Sequence, residues 1–253
     1  MPNIKILNIL FKVFLLLLVA GLLLPSTPGF AEDQIVIGKA YNANGELEYI
    51  EHHRLSLDGG RTVAIRTVFL DAGFQKIGEL VSDFSHGPQF GSYEFTDSRA
   101  RYFDGAKVTA DRITLYCRRS PGGDVETKSL PMTTDQIVGQ GFNQFIVTRL
   151  DALARGEEFR MKLVLPSKLD QYDVSIRKSK IEGDVLHIRV EMANWFLKLF
   201  APHMDAEYDL KTRRLLRYDG ISMVENTSGK NAQVSITYEY EPDKMLLAKL
   251  PKF

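Results

Sequence analysis

Cysteine is nearly absent from this chain of 253 residues, in which Cys117 is the single example. One cysteine cannot form an intramolecular disulfide and cannot build a cysteine-rich zinc site. A domain of this composition must therefore be held together by its own core. Cys117 alternates with Ile113 and Leu115 on an apolar face, which predicts a buried and unreactive thiol.

An excess of either charge is also absent, because 32 Lys and Arg residues face 32 Asp and Glu residues. This balance gives no electrostatic reason to expect nucleic acid or an anionic membrane surface as a partner.

Recognisable catalytic motifs are missing as well. The chain contains no Gly-x-Ser-x-Gly elbow, no His-Glu-x-x-His and no phosphate-binding P-loop. The adjacent His52 and His53 would face opposite sides of a strand, so they cannot chelate a metal together. We therefore predict a protein without enzymatic activity, with no catalytic residue, no metal site and no cofactor.

One histidine and two acids leave a second interpretation open. Alternation would place His203, Asp205 and Glu207 on one strand face, where a convergent cluster would indicate a hydrolase of unrecognised type. The same pattern is explained by the solvent-facing side of an ordinary strand, and zinc sites normally recruit three or four convergent ligands.

The apolar run near the N-terminus is too short to cross a membrane. It extends from Val13 to Leu24 behind Lys5 and Lys12, whereas a spanning helix needs about 20 apolar residues. Small residues Gly29 and Ala31 follow, so we predict a signal peptide over residues 1–31 with cleavage after Ala31. A retained membrane anchor is the alternative. Cleavage leaves residues 32–253 as one domain that is not an integral membrane protein.

Most of the remaining sequence alternates between apolar and polar residues. The clearest segments are 159–165, 186–192 and 234–240, and each predicts a strand with one buried face. Short turn sequences separate the segments, among them Asn44-Gly45, Asp58-Gly59-Gly60, Asp104-Gly105 and Glu182-Gly183-Asp184. Such short links cannot join parallel strands. We predict a mainly β fold, a curved antiparallel sheet or open half-barrel.

One segment has helical spacing instead. Apolar residues recur at Val138, Phe142, Phe145, Ile146, Leu150 and Leu153, which predicts a helix near 135–155 that covers the concave face of the sheet. Thr133, Thr134 or Asp135 would cap its start and Gly156 would end it. Gly139 and Gly141 lower helix propensity, which favours an irregular first turn.

The segment 194–202 fits neither a half-buried strand nor a capped helix. It contains the only tryptophan of the chain, and exposed apolar patches mark contacts with lipids, ligands or partners. Trp195, Phe196 and Phe200 are therefore candidates for an interaction surface. The alternative is that this segment folds inward and closes one end of the sheet.

The order of these features is similar to that of a known group of exported proteins. A signal peptide and antiparallel strands are followed by the helix that begins near Gly139-Gln140-Gly141, then by the segment 208–220 and the Tyr238-Glu239-Tyr240 strand. This arrangement resembles uncharacterised exported bacterial proteins and, more distantly, the LolA/LolB-like superfamily of periplasmic half-barrels.

The resemblance implies a soluble protein in the periplasm of a Gram-negative bacterium that binds a lipid or acyl chain in an apolar hollow. The cavity-lining residues that it implies are Phe142, Phe145 and Ile146 from the helix, with Phe159, Met161, Leu163, Ile188 and Val190 from the sheet. The chain has no lipid-modified cysteine of the kind expected in an outer-membrane receptor. An envelope protein–protein interaction module that docks through 194–202 is the alternative function.

Overall fold

The computed structural model describes residues 32–195, 203–225 and 231–253. The predicted signal peptide lies outside these residues. The strands and helices are β1 (Glu32–Tyr41), β2 (Leu47–Asp58), β3 (Arg61–Leu70), β4 (Lys76–Asp83), β5 (Ser92–Asp97), β6 (Tyr102–Val108), β7 (Arg112–Arg118), β8 (Glu126–Pro131), β9 (Gln136–Val138), α1 (Gly141–Arg155), β10 (Phe159–Leu165), β11 (Asp170–Glu182), β12 (Val185–Met192), β13 (Met204–Asp209), β14 (Leu215–Glu225), β15 (Asn231–Glu239) and α2 (Lys244–Leu247). A short 3₁₀ turn, Pro166–Lys168, joins β10 to β11.

All described strands belong to one curved, unclosed sheet. Its order is β8-β7-β6-β5-β4-β3-β2-β1-β15-β14-β13-β12-β11-β10-β9. Strand β1 pairs with β15, so the first and last strands of the chain meet in the middle of the sheet. The predicted mainly β fold with a curved, antiparallel sheet is confirmed.

Glycines with positive φ make the tight connections between several strands. Gly45, Gly59, Gly60 and Gly183 have φ values between 56° and 79°, in the left-handed region where a side chain would be strained. The turns predicted at these positions are confirmed.

The turn predicted at Asp104-Gly105 is wrong, because both residues lie within β6. A Cβ at Gly105 would lie 2.3 Å from the Tyr93 carbonyl oxygen and 2.4 Å from the Tyr116 hydroxyl. This glycine therefore permits close packing inside the sheet rather than a change of chain direction.

One crossover interrupts the antiparallel pattern. Strand β9 pairs in parallel with β10, and α1 provides the connection that a parallel pair requires. The helix ends at Gly156, with φ 97°, as predicted. It begins at Gly141 rather than near 135, because 136–138 form β9 and Gly139 adopts φ 55°. No side chain caps its start, so the capping predicted at 133–135 is wrong.

Apolar packing covers both faces of the sheet. The face that carries α1, here called the inner face, buries Phe145, Ile146 and Leu150 of the helix against Ile176 and Ile188. The C-terminal residues Leu246, Leu247, Leu250 and Phe253 pack on the outer face over β1 to β3. The end of the chain is thus part of the folded structure.

Candidate ligand-binding cavity

A cavity of about 250 Å³ lies on the inner face, between the start of α1 and the central strands of the sheet. Strands β1 to β4 form one wall, and β13 to β15 form the other. Its aliphatic and phenylalanine lining consists of Val36, Leu55, Ile65, Phe69, Leu80, Phe142, Ala206, Leu215, Ile221, Met223 and Ile236. An engineered apolar cavity of about 150 Å³ is large enough to bind benzene, so this space is sufficient for part of an organic ligand.

The cavity opens beside β14. Ile221 and Met223 line the cavity and are also 41% and 42% exposed. The intervening Ser222 is buried, and its hydroxyl lies 3.1 Å from the Tyr49 hydroxyl. Exposed apolar side chains of this kind mark contacts with lipids, ligands or partners.

Five tyrosines supply most of the aromatic lining: Tyr49, Tyr208, Tyr218, Tyr238 and Tyr240. Each hydroxyl has a hydrogen-bond partner in the structure, including Asn143 Oδ1 for Tyr208 at 2.9 Å and the Ile221 carbonyl for Tyr218 at 3.1 Å. Burial, with a smaller contribution from the Glu51 carboxylate, raises the pKa of Tyr49, Tyr218 and Tyr238 above the ordinary value. These side chains are therefore neutral and held in position by their hydroxyl groups.

The remaining lining residues are polar: Glu51, His53, Gln140, Asn143 and Ser222. Glu51 and His53 lie two residues apart on β2, so the strand places both on the inner face. The His53 Nε2 is 3.0 Å from Glu51 Oε2, and the Tyr238 hydroxyl donates to the same oxygen across 3.3 Å. Both side chains are largely buried, with exposed fractions of 12% for His53 and 10% for Glu51.

The polar contacts continue from His53 to the start of α1. Thr67 Oγ1, on the neighbouring strand β3, lies 2.7 Å from His53 Nδ1. Gln140 Nε2 donates to the same Thr67 oxygen across 3.2 Å, and Ser82 Oγ donates to Gln140 Oε1 across 2.8 Å. These contacts join β2, β3 and β4 to the residue that precedes the helix, and they fix the helix start over the cavity.

The structure brings one of the eight predicted cavity residues to this cavity. Phe142 is a lining residue. Four of the others, Phe145, Ile146, Ile188 and Val190, are at most 3% exposed in the packed cluster beneath α1. Met161 belongs to the same cluster, and Phe159 and Leu163 are partly buried against it. In that half of the sheet side chains fill the inner face, and the open space lies nearer the centre.

Sequence reasoning did not identify the polar group around Glu51. One signal was present in the sequence. One face of a single predicted strand carries Tyr49, Glu51, His53 and Leu55, and this face places a carboxylate among apolar neighbours. The opposite orientations predicted for His52 and His53 are confirmed, since His53 lines the cavity and His52 stacks against Phe253 at a ring distance of 4.2 Å.

The other candidate clusters are surface ion pairs. Asp205 receives two hydrogen bonds from Arg189, at 2.8 and 2.9 Å, and lies 3.3 Å from His203. Glu207 lies 3.5 Å from His187 instead. Within residues 32–195, 203–225 and 231–253, no three His, Cys, Asp or Glu side chains are arranged to hold a metal ion.

The predicted interaction surface is only partly described. Trp195 is 74% exposed, whereas Phe196 and Phe200 lie outside the described residues. Cys117 is buried, and burial raises the pKa of its thiol. None of the helices among the described residues is long and apolar enough to span a membrane.

Comparisons of the chain with protein-family models, with curated proteins and with solved structures give no match. The resemblance to LolA/LolB-like half-barrels stays a prediction from the sequence.

Proposed function

We propose that this protein is an exported, non-enzymatic protein of the periplasm that binds a hydrophobic ligand, a lipid or acyl chain, in the cavity beside α1. The observation that carries the proposal is the largely apolar and aromatic lining of an accessible space of about 250 Å³. Ligand pockets have this character: an apolar wall with a few polar groups that fix the orientation of the ligand.

The size of the cavity indicates how much of a ligand it holds. One water molecule occupies about 30 Å³ in the liquid, so the space corresponds to roughly eight waters. Each buried methylene contributes about 0.8 kcal/mol. A single chain segment inside the cavity, with the rest of the ligand at the rim formed by Ile221 and Met223, fits this volume better than several chains do.

Two isoleucines with the same exposure provide a matched test. Ile221 lies at the cavity rim on β14, and Ile181 lies on β11 away from the cavity; both are 41% exposed. Dodecan-1-ol would be titrated calorimetrically into residues 32–253 and into the Ile221→Asn and Ile181→Asn variants. We expect wild-type binding at one site, about fivefold weaker binding for Ile221→Asn, and unchanged binding for Ile181→Asn.

Two results of this titration would contradict the proposal. One is the absence of any binding to the wild-type protein, and the other is an equal loss of affinity in both variants. The first result would favour the alternative function, an envelope interaction module, for which the exposed side chain of Trp195 is the supporting observation.

A further inference from the structure

The charged side chains in the cavity lining are not balanced. Among its lining residues, all of which the structure describes, Glu51 is the only one with a carboxylate, and none is Lys or Arg. A ligand with a free carboxylate or phosphate would bring a second negative charge close to Glu51, and the lining residues include no Lys or Arg to balance it. Inside a partly buried site such a like-charge contact is strongly unfavourable.

The hydrogen-bond pattern also favours one tautomer of the neutral His53 ring. Thr67 is fully buried and accepts from Gln140 Nε2, so its own hydroxyl hydrogen needs an acceptor. His53 Nδ1, at 2.7 Å, provides that acceptor when the imidazole is neutral and carries its hydrogen on Nε2.

With this assignment every hydrogen bond in the chain runs toward Glu51. Ser82 donates to Gln140, Gln140 to Thr67, Thr67 to His53 and His53 to the Glu51 carboxylate. Aligned donors of this kind polarise one another and stabilise a negative charge at the end of the chain. Tyr238 adds a second donor to Glu51 Oε2.

Tyrosine side chains line the same cavity as this carboxylate. Tyr49, Tyr218 and Tyr238 are lining residues, and the Tyr238 hydroxyl contacts Glu51 directly. Tyrosine faces attract cations. One tyrosine of the lining already has such a contact, since the Arg214 guanidinium lies over the Tyr240 ring at 4.8 Å.

We propose that the ligand is a cationic amphiphile, in which an apolar chain occupies the cavity and a protonated or quaternary amine lies against Glu51 and the tyrosine faces. This inference rests on the proposed function and adds the class of head group. It assigns Glu51 as the residue that selects amines over carboxylates and phosphates.

Three probes with the same chain length separate the contribution of the apolar chain to the binding affinity from that of the head group. Dodecyltrimethylammonium, dodecan-1-ol and dodecanoate would be titrated below their micellar concentrations into residues 32–253 at pH 7. We expect the ammonium compound to bind about tenfold more tightly than the alcohol, and dodecanoate to bind most weakly. In Glu51→Gln the ammonium and alcohol compounds should bind with affinities within about twofold of each other.

A matched variant controls for the loss of one negative charge. Glu48 lies on the same strand but outside the cavity, where it accepts a hydrogen bond from Asn42 at 2.9 Å. Glu48→Gln should keep the wild-type order of the three probes. If Glu51→Gln does not fold, the order of the probes in the wild-type protein still decides the question.

The outcomes distinguish the two proposals. Absence of binding by all three probes contradicts the proposed function. Binding of all three with equal affinity, or tightest binding of dodecanoate, overturns the cationic head group and leaves a general hydrophobic site. Retention of the ammonium preference in a folded Glu51→Gln overturns the role of Glu51.

Discussion

His53 Nε2 lies 3.0 Å from Glu51 Oε2, two residues away on the same strand and facing the same cavity. A strand presents every second residue to one side, so the repeat that places Tyr49 and Leu55 in the cavity lining also brings this pair to the inner face. The contact is the polar centre of an otherwise apolar and aromatic site. Through Thr67 and Gln140 it is connected to the start of α1.

Two phenylalanines of α1 should respond differently to truncation. Phe145 is 3% exposed, in edge-to-face contact with Phe159 at a ring distance of 5.6 Å, whereas Phe142 is partly buried and lines the cavity. We expect Phe145→Ala to lower the free energy of unfolding by about 3–5 kcal/mol. Phe142→Ala should lower it by about 1–2 kcal/mol and should change the affinity for dodecan-1-ol, as urea unfolding and calorimetry would show. Equal losses of stability would contradict the packing difference between the two residues.

Asp104 should make the protein less stable as the pH rises. Burial raises the pKa of its carboxyl to about 6, and the bond from the Tyr102 hydroxyl offsets only part of this effect. Because the folded state binds this proton more tightly, its stabilising effect is complete below pH 4 and is lost as the pH rises through about 6. Asp104→Asn should therefore raise the free energy of unfolding at pH 7.5 by on the order of 2–3 kcal/mol.

The pH dependence of this variant shows whether ionisation of Asp104 causes the change in stability. The difference between Asp104→Asn and wild type should shrink to near zero at pH 4 in urea unfolding. Asp124→Asn, at an exposed loop position, should have no effect at either pH. A stabilisation of Asp104→Asn that is the same at both pH values would show that ionisation is not its cause.

His52 should weaken the protein in acid. Burial, followed by the nearby His53, lowers the pKa of His52 to about 4. The folded state thus favours the neutral ring, and this contribution to stability is lost as the pH falls from about 6.5 through 4. His52→Phe keeps a ring against Phe253 and should lose less stability over this interval in thermal melts. The exposed control variant His86→Phe should lose as much stability in acid as the wild type. If His52→Phe also loses as much stability as the wild type, protonation of His52 is not the cause of the loss.

The sequence pattern predicted local structure better than the site. Alternation and turn glycines such as Gly45 and Gly183 identified strands and reversals, because both signals depend on a few neighbouring residues. Gly105 was misassigned, since its role is to admit Tyr116 and the backbone of Tyr93 from other strands. The start of α1 was also misplaced, because residues 136–138 pair with β10 as strand β9, and helical periodicity does not encode this pairing.

The cavity itself depends on contacts between distant parts of the chain. Its walls come from β1 to β4 and from β13 to β15, which meet only because β1 pairs with β15. Phe142 was among the cavity residues that the resemblance to half-barrel proteins implied. The positions of Glu51, Tyr218 and Tyr238 around one space follow from strand order, which the alternation of single strands does not specify.

Native mass spectrometry of residues 32–253, purified without detergent, tests whether the cavity beside α1 binds a ligand. We expect the protein to carry a discrete added mass that organic extraction removes, or to bind a single ligand when dodecan-1-ol or dodecyltrimethylammonium is supplied. A protein that keeps its ligand-free mass under both conditions would contradict the assignment of the cavity beside α1 as a ligand-binding site.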